Sequence, residues 1–184
     1  MSVQSVSISS SHTFSKPPVS AITLVTNRGV QGDCHFGETV QHQSRLHIKP
    51  APTNLRQVHL IPIETLEKID QAAGKVVAGS LGENITTRGL DLVHLSRGTE
   101  LHFKTTTSNQ VAAVVVLTGL RNPCPQIDKF QTGLKERFVV RDAQRNIIGR
   151  LAGVMGVVKQ GGIVTPGMKI VVVKPAVEEK LEVV

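Results

Sequence analysis

Cys124 stands between Pro123 and Pro125, three residues after Arg121, in the stretch TGLRNPCPQID that runs from Thr118 to Asp128. Pro125 suits the first position of a helix, which makes Cys124 its N-cap. There the sulfur faces unpaired backbone N–H groups, and those groups, the helix dipole and Arg121 all favour thiolate over thiol. A thiolate is the ligand a soft metal prefers and the nucleophile that sulfur transfer needs. Residue type alone leaves the matter open, because cysteine is among the most buried residues and is usually inert there.

Three of the seven histidines, His35, His42 and His47, share a long polar segment with Cys34 and Asp33. Their spacings match none of the compact zinc patterns, so they read as surface or hydrogen-bonding histidines. His59, His94 and His102 fall in or beside strands and read as structural. The segment GSLGENITT, Gly79 to Thr87, offers glycines, an amide and two threonines, a set able to present donors to an anion. It lacks the Lys-Ser/Thr ending of a nucleotide P-loop and the dinucleotide fingerprint, and the chain has no Gly-x-Ser-x-Gly elbow.

The elements that position these residues follow from composition and punctuation. At 184 residues the chain has room for one domain with a sizeable core. Aromatics make up 3 %, with no Trp or Tyr, so Val, Ile and Leu must build that core, and they favour strands. The N-terminus, which has neither the Arg nor the apolar run of a targeting peptide, reads as an alternating edge strand through Val6 and Ile8. Further strands are expected over Ala21–Val25, in RQVHLI (56–61), at Val111–Leu117 and in MKIVVV (168–173). An amphipathic helix follows Pro62, with Ile63, Leu66 and Ile69 inward and Gly74 at its end. A second runs from Pro125 through Ile127, Phe130 and Leu134. Short strands, glycine turns and two modest helices predict a β-rich α+β fold, mainly β and barrel-like, spanning 1–175, with 176–184 as an exposed C-terminal tail.

The net charge of +7 usually means a solvated basic face or a surface for nucleic acid. Stacking aromatics are too scarce for a nucleic-acid platform, so a small anionic ligand fits better. No run approaches the roughly 20 apolar residues that span a bilayer. Two cysteines do not make a disulfide framework, and free thiols in a reducing, cytoplasmic compartment are expected.

Taken together, GVQGDCHFG with His42 downstream, NLRQVHLI, GSLGENITTRGL, LTGLRNPC and the closing AGVMGVV…GGIVTPGMKIVV resemble the molybdenum cofactor sulfurase C-terminal (MOSC) domain family, in its small stand-alone form. The resemblance extends from about Val6 to Val173. It implies a pyruvate-kinase-type β-barrel that binds the molybdenum cofactor, a metal held by the dithiolene of a pterin (molybdopterin) bearing an anionic phosphate. By the same resemblance Cys124 matches the family's molybdenum ligand, Arg121 and Asn122 share its motif, and Asn84 belongs to the Gly-Glu-Asn element. Thr118, Lys16 and Arg45 are added as donors close to these motifs. His42 keeps the histidine of a turn in which many bacterial members have two following glycines. Gln43 and Ser44 replace them here, which hinders backbone approach to a ligand.

The leading expectation is a terminal component of a reductase for N-hydroxylated compounds, with Cys124 on molybdenum, a small-molecule substrate and a separate electron-donor protein, since no iron-sulfur or flavin motif occurs in the chain. The alternatives are a sulfur carrier that holds a persulfide on Cys124 and a non-catalytic module for a small anion or a partner.

Overall fold

The computed structural model describes residues 1–42, 45–73 and 76–184. Its strands are β1 (Ser2–Ser7), β2 (Pro18–Val19), β3 (Ile22–Val25), β4 (Gly29–Val30), β5 (Val58–Pro62), β6 (Ile85–Arg88), β7 (Ser96–Arg97), β8 (Glu100–Lys104), β9 (Val111–Leu120), β10 (Val139–Arg141), β11 (Ile147–Arg150), β12 (Val154–Gln160), β13 (Gly162–Val164), β14 (Lys169–Val173) and β15 (Glu179–Lys180). Two α-helices, α1 (Ile63–Ala73) and α2 (Pro125–Phe130), lie between them.

Seven strands close into a barrel in the order β14-β8-β9-β12-β5-β6-β1, and β1 returns to β14 where Ser2 faces Lys169. All neighbours are antiparallel except β5 and β6, where Leu60, Ile61 and Pro62 pair in parallel with Ile85, Thr86 and Thr87. The alternation of β9 turns Ala113, Val115 and Leu117 into the barrel, where they meet Phe103, Leu60 and Val158. A small sheet, β13-β3-β4, adds Leu24, Val30 and Val164 to the same core.

The N-terminal strand is interior, not the edge its sequence implies, because β1 is bonded to β6, β14 and β2. Val3 and Val6 both face the core although they are three residues apart. A register shift between Val3 and Ser5 supplies the extra residue that a strict alternation lacks.

A second apolar cluster lies outside the barrel. Ile63, Leu66 and Ile69, spaced three apart along α1, form one helical face that packs on Ile61, Leu81, Ile127 and Phe138. The expected end of α1 at Gly74 lies outside the described residues. The second helix is shorter than expected: α2 stops at Phe130, Gln131 is extended, and Leu134 is buried from a separate turn. Gly133, at a φ of +77°, sits in this break.

The segment expected to be an exposed tail also returns to the barrel. β15 pairs with β7, Leu181 is 2 % exposed within the barrel core, and Leu120 accepts Val183 as a parallel neighbour. The apolar residues Ala176, Val177, Leu181, Val183 and Val184, interrupted by Glu and Lys, show no regular alternation that would mark a docked strand. No helix among the described residues is long and apolar enough to cross a membrane.

Candidate functional site

The strand β9 ends at Leu120, and the chain continues across one end of the barrel, held by Arg121 N–H donating to the Gly153 carbonyl at 3.0 Å. Pro125 then bars Cys124 from helical backbone, and Cys124 is extended, with φ −100° and ψ 164°. It is the N-cap of α2, as its position before a proline requires, but its sulfur accepts no hydrogen bond from the helix. The sulfur instead engages the Arg121 guanidinium. The thiol is therefore presented to an arginine, not to backbone N–H groups.

Arg121 is buried, and its Nη1 donates to the Leu81 carbonyl at 2.7 Å. That carbonyl belongs to the glycine-rich turn, which is organised by Glu83 from inside. The fully buried Glu83 carboxylate accepts hydrogen bonds from Gly79 N–H at 2.5 Å, Leu81 N–H at 3.1 Å and the Thr86 hydroxyl at 3.1 Å. Burial pushes its carboxyl upward, against these donors and Arg121. Gly79 and Gly82 serve the packing of the chain over this turn. Both have positive φ, and a Cβ would lie 2.1 Å from the Lys16 carbonyl oxygen at Gly79 and 2.4 Å from that of Phe14 at Gly82.

Asn84 is a clasp between elements. Its Nδ2 donates to Asp33 Oδ2 at 3.0 Å and to the Ser7 carbonyl at 3.3 Å, and its Oδ1 accepts the His59 N–H at 3.2 Å. Asp33 also meets Lys16 Nζ at 2.7 Å, with both side chains no more than 3 % exposed. Burial alone would raise the Asp33 carboxyl, but His35 and Lys16 hold it well below the usual carboxylate range. Lys16 is thus neutralised by Asp33 beneath the cavity wall.

These elements enclose a cavity of about 280 Å³. It is lined by Cys124, Arg121, Asn122, Asn84, Lys16, Arg45 and His42 among the residues singled out from sequence. Thr118 is not among them; its hydroxyl donates to the Leu55 carbonyl at 2.6 Å and ties β9 to the loop that carries Arg56. Asn122 is exposed at the rim, where its Oδ1 accepts from Arg150 Nε at 3.0 Å. Gln43 and Ser44 lie outside the described residues.

Sequence reasoning missed Arg56, His35, His59 and the pair Val183 and Val184, all of which line the cavity. Arg56 lies within NLRQVHLI, where alternation marks a strand and hides the role of the arginine preceding it. His59 is structural in its bonding, because Nε2–H donates to the Ala152 carbonyl at 2.8 Å. Burial and the nearby Arg121 hold its imidazole neutral, well below the ordinary histidine range.

The described lining contains four cationic side chains, Arg45, Arg56, Arg121 and Lys16, the last already paired with Asp33, and no Asp or Glu. The excess positive charge is felt by its neighbours. His42 is lowered to about 4 by burial first and then by Arg56, His35, Arg45 and Arg121. Arg56 is itself lowered to about 10 by burial and by Arg45 and Arg121. Such a cavity favours an anion, and the Cys124 sulfur on its wall adds a soft ligand.

The family model described as "MOSC domain" matches residues 31–171. The chain belongs to the MOSC domain family. Among solved structures, the MOSC chain is similar to the YuaD protein from Bacillus subtilis, with 23 % identity and a TM-score of 0.72 over 93 % of this chain and 94 % of that one. It also resembles YiiM from Geobacillus stearothermophilus, at 18 % identity and a TM-score of 0.64, covering 97 % of this chain and 79 % of that one. YiiM from Escherichia coli has 16 % identity and a TM-score of 0.61, covering 98 % and 73 %. No curated protein sequence matches the chain. At these identities the structures establish the shared β-rich fold.

Proposed function

We propose that this MOSC domain binds a molybdenum cofactor in the cavity and serves as the terminal component of a reductase for N-hydroxylated compounds. The observation that carries the reading is a half-buried cysteine sulfur beside a buried arginine, in a cavity whose described lining has three arginines, a lysine paired with Asp33, and no Asp or Glu side chain. The donor set fits the group: a soft sulfur for the metal, and guanidinium groups for the pterin phosphate. Cys124 would be the metal ligand, with Arg121, Arg56 and Arg45 toward the anionic part and Asn122 at the rim. When bound, the cofactor supplies two-electron oxygen-transfer chemistry at molybdenum.

The chain's own residues prepare the place. Pro123 and Pro125 restrict the backbone on either side of Cys124, and the Leu81 carbonyl fixes the guanidinium that faces its sulfur. Met155, Leu81, Val40 and Val183 give the lining its apolar part, which reduces water contact with a bound ligand. The overall change, N-hydroxyl compound plus two electrons and two protons to the reduced nitrogen compound plus water, takes its electrons from a separate electron-donor protein.

The test is expression in a host that makes the cofactor, followed by molybdenum analysis and release of the pterin. Stoichiometric molybdenum and pterin, with the metal lost in Cys124→Ser, is the expected result. Metal-free protein that carries a persulfide on Cys124 would instead establish a sulfur carrier. If neither forms and Cys124→Ser alters only stability, the cavity is a site for a small anion or a partner.

A further inference from the structure

A second set of metal-ligating side chains, far from Cys124 in sequence, is not used by the cofactor reading. His12, Cys34 and His35 each place a ligand atom within 4.8 Å of the other two. Cys34 Sγ is 3.2 Å from His35 Nδ1, and the His12 and His35 rings meet edge to face with centroids 5.4 Å apart. The spacing of histidines within the loop gave no zinc pattern because one ligand, His12, comes from a segment 22 residues before Cys34. Only the fold brings it there.

We infer that His12, Cys34 and His35 form a binding site for a single zinc-class divalent ion, with a fourth coordination position open. One thiolate and two imidazoles are the donor types such an ion selects. Each ligand is held by a partner of its own. His12 Nε2 lies 3.2 Å from the Gln41 carbonyl, an arrangement that leaves Nδ1 as the lone-pair nitrogen. His35 Nδ1, the nitrogen beside Cys34 Sγ, is also 3.2 Å from Asp33 Oδ1, so an ion on Nε2 keeps Asp33 as the partner of the other nitrogen, while an ion on Nδ1 replaces that contact. The His35 backbone N–H donates to Asp33 at 3.0 Å, and Asn54 donates to the His35 carbonyl at 3.0 Å. The Cys34 N–H donates to the Ser9 carbonyl at 2.8 Å, which ties the loop to the segment that carries His12. Carboxylate and carbonyl partners of this kind orient ligating histidines in metal sites.

Metal–sulfur and metal–nitrogen bonds of about 2.3 and 2.0 Å place one sulfur and two nitrogens about 3.3–3.5 Å apart, so the cluster must contract by up to about 1.5 Å. His12 is exposed and on an irregular segment, which leaves it free to make that movement. His35 lines the cavity as well, so an ion here would brace the cavity wall. The assignment is independent of any cofactor on Cys124.

Cobalt(II) is a probe that reports thiolate ligation by a sulfur-to-metal charge-transfer band. Metal-free protein titrated with Co²⁺ should bind one ion per chain and develop that band, and excess Zn²⁺ should remove it. The band should vanish in Cys34→Ala and persist in Cys124→Ala. His12→Ala, whose exposed side chain is not needed for folding, should weaken Co²⁺ binding by more than the roughly tenfold typical of losing an outer-shell partner. Absence of the band in the wild-type chain, its survival in Cys34→Ala, or unchanged affinity in His12→Ala would each overturn the assignment.

Discussion

The ion pair between Lys16 and Asp33 is the most demanding electrostatic feature of the site, and a double-mutant cycle measures it. Both side chains are no more than 3 % exposed and their charged atoms are 2.7 Å apart. Asp33→Asn keeps the shape and removes the negative charge, which leaves the Lys16 ammonium buried without its counter-charge. Lys16→Met keeps the aliphatic stem and leaves Asp33 with His35 and Asn84. Breaking a buried pair from either side costs about 3–5 kcal/mol. In the double variant no unpaired charge remains, and its cost should fall short of the sum of the singles by about 2–3 kcal/mol. With neither Trp nor Tyr in the chain, urea unfolding is followed by far-ultraviolet circular dichroism. Because the folded state holds the Asp33 carboxyl below its ordinary value of 3.8, this stabilisation is complete above about pH 4. It is lost as the pH falls further, through the folded value. Asp33→Asn should therefore flatten the acid limb of the stability profile. Additive single costs, or an unchanged acid limb, would refute the account of Lys16 as a cation neutralised in place.

Two further outcomes follow from the cavity and its glycine turn. In the wild-type chain the His42 imidazole should titrate near pH 4 by NMR, and Arg56→Met should raise that midpoint by about 0.5–1 pH unit, since Arg56 is the largest charge acting on it; no movement would mean that burial alone sets it. Gly79→Ala should cost more than about 3 kcal/mol, because its Cβ meets the Lys16 carbonyl oxygen. Gly133→Ala, at a similar φ with open space around it, should cost only about 1–2 kcal/mol, and equal losses in a denaturation series would show that backbone strain alone matters.

The barrel was legible because strands announce themselves locally. The alternation in RQVHLI, the continuous aliphatic run at Val111–Leu117 and the glycine turns near the C-terminus need no tertiary knowledge. The interior place of β1 was not legible, since an alternating strand reads the same whether one neighbour or three are bonded to it. Cys124 was found because two prolines and an arginine frame it in sequence, yet the direction of its sulfur was not, because that depends on Arg121 being held by Leu81, 40 residues earlier. Arg56 and His12 were passed over for the same reason. Their significance lies in neighbours that only the closed barrel supplies.

Parallel neighbours such as β5 and β6 cannot be joined by a tight turn, so the chain must leave the barrel and come back. Here that excursion is α1 and the glycine turn, and the turn carries the Leu81 carbonyl, Glu83 and, at its end, Asn84. The connection demanded by strand order also supplies Leu81, Gly82 and Asn84 to the cavity lining. Loops at Asn109 or Arg145 are open to lengthening and shortening without touching the cavity lining, whereas a deletion between residues 77 and 84 removes a strand connection and part of the cavity wall in one step.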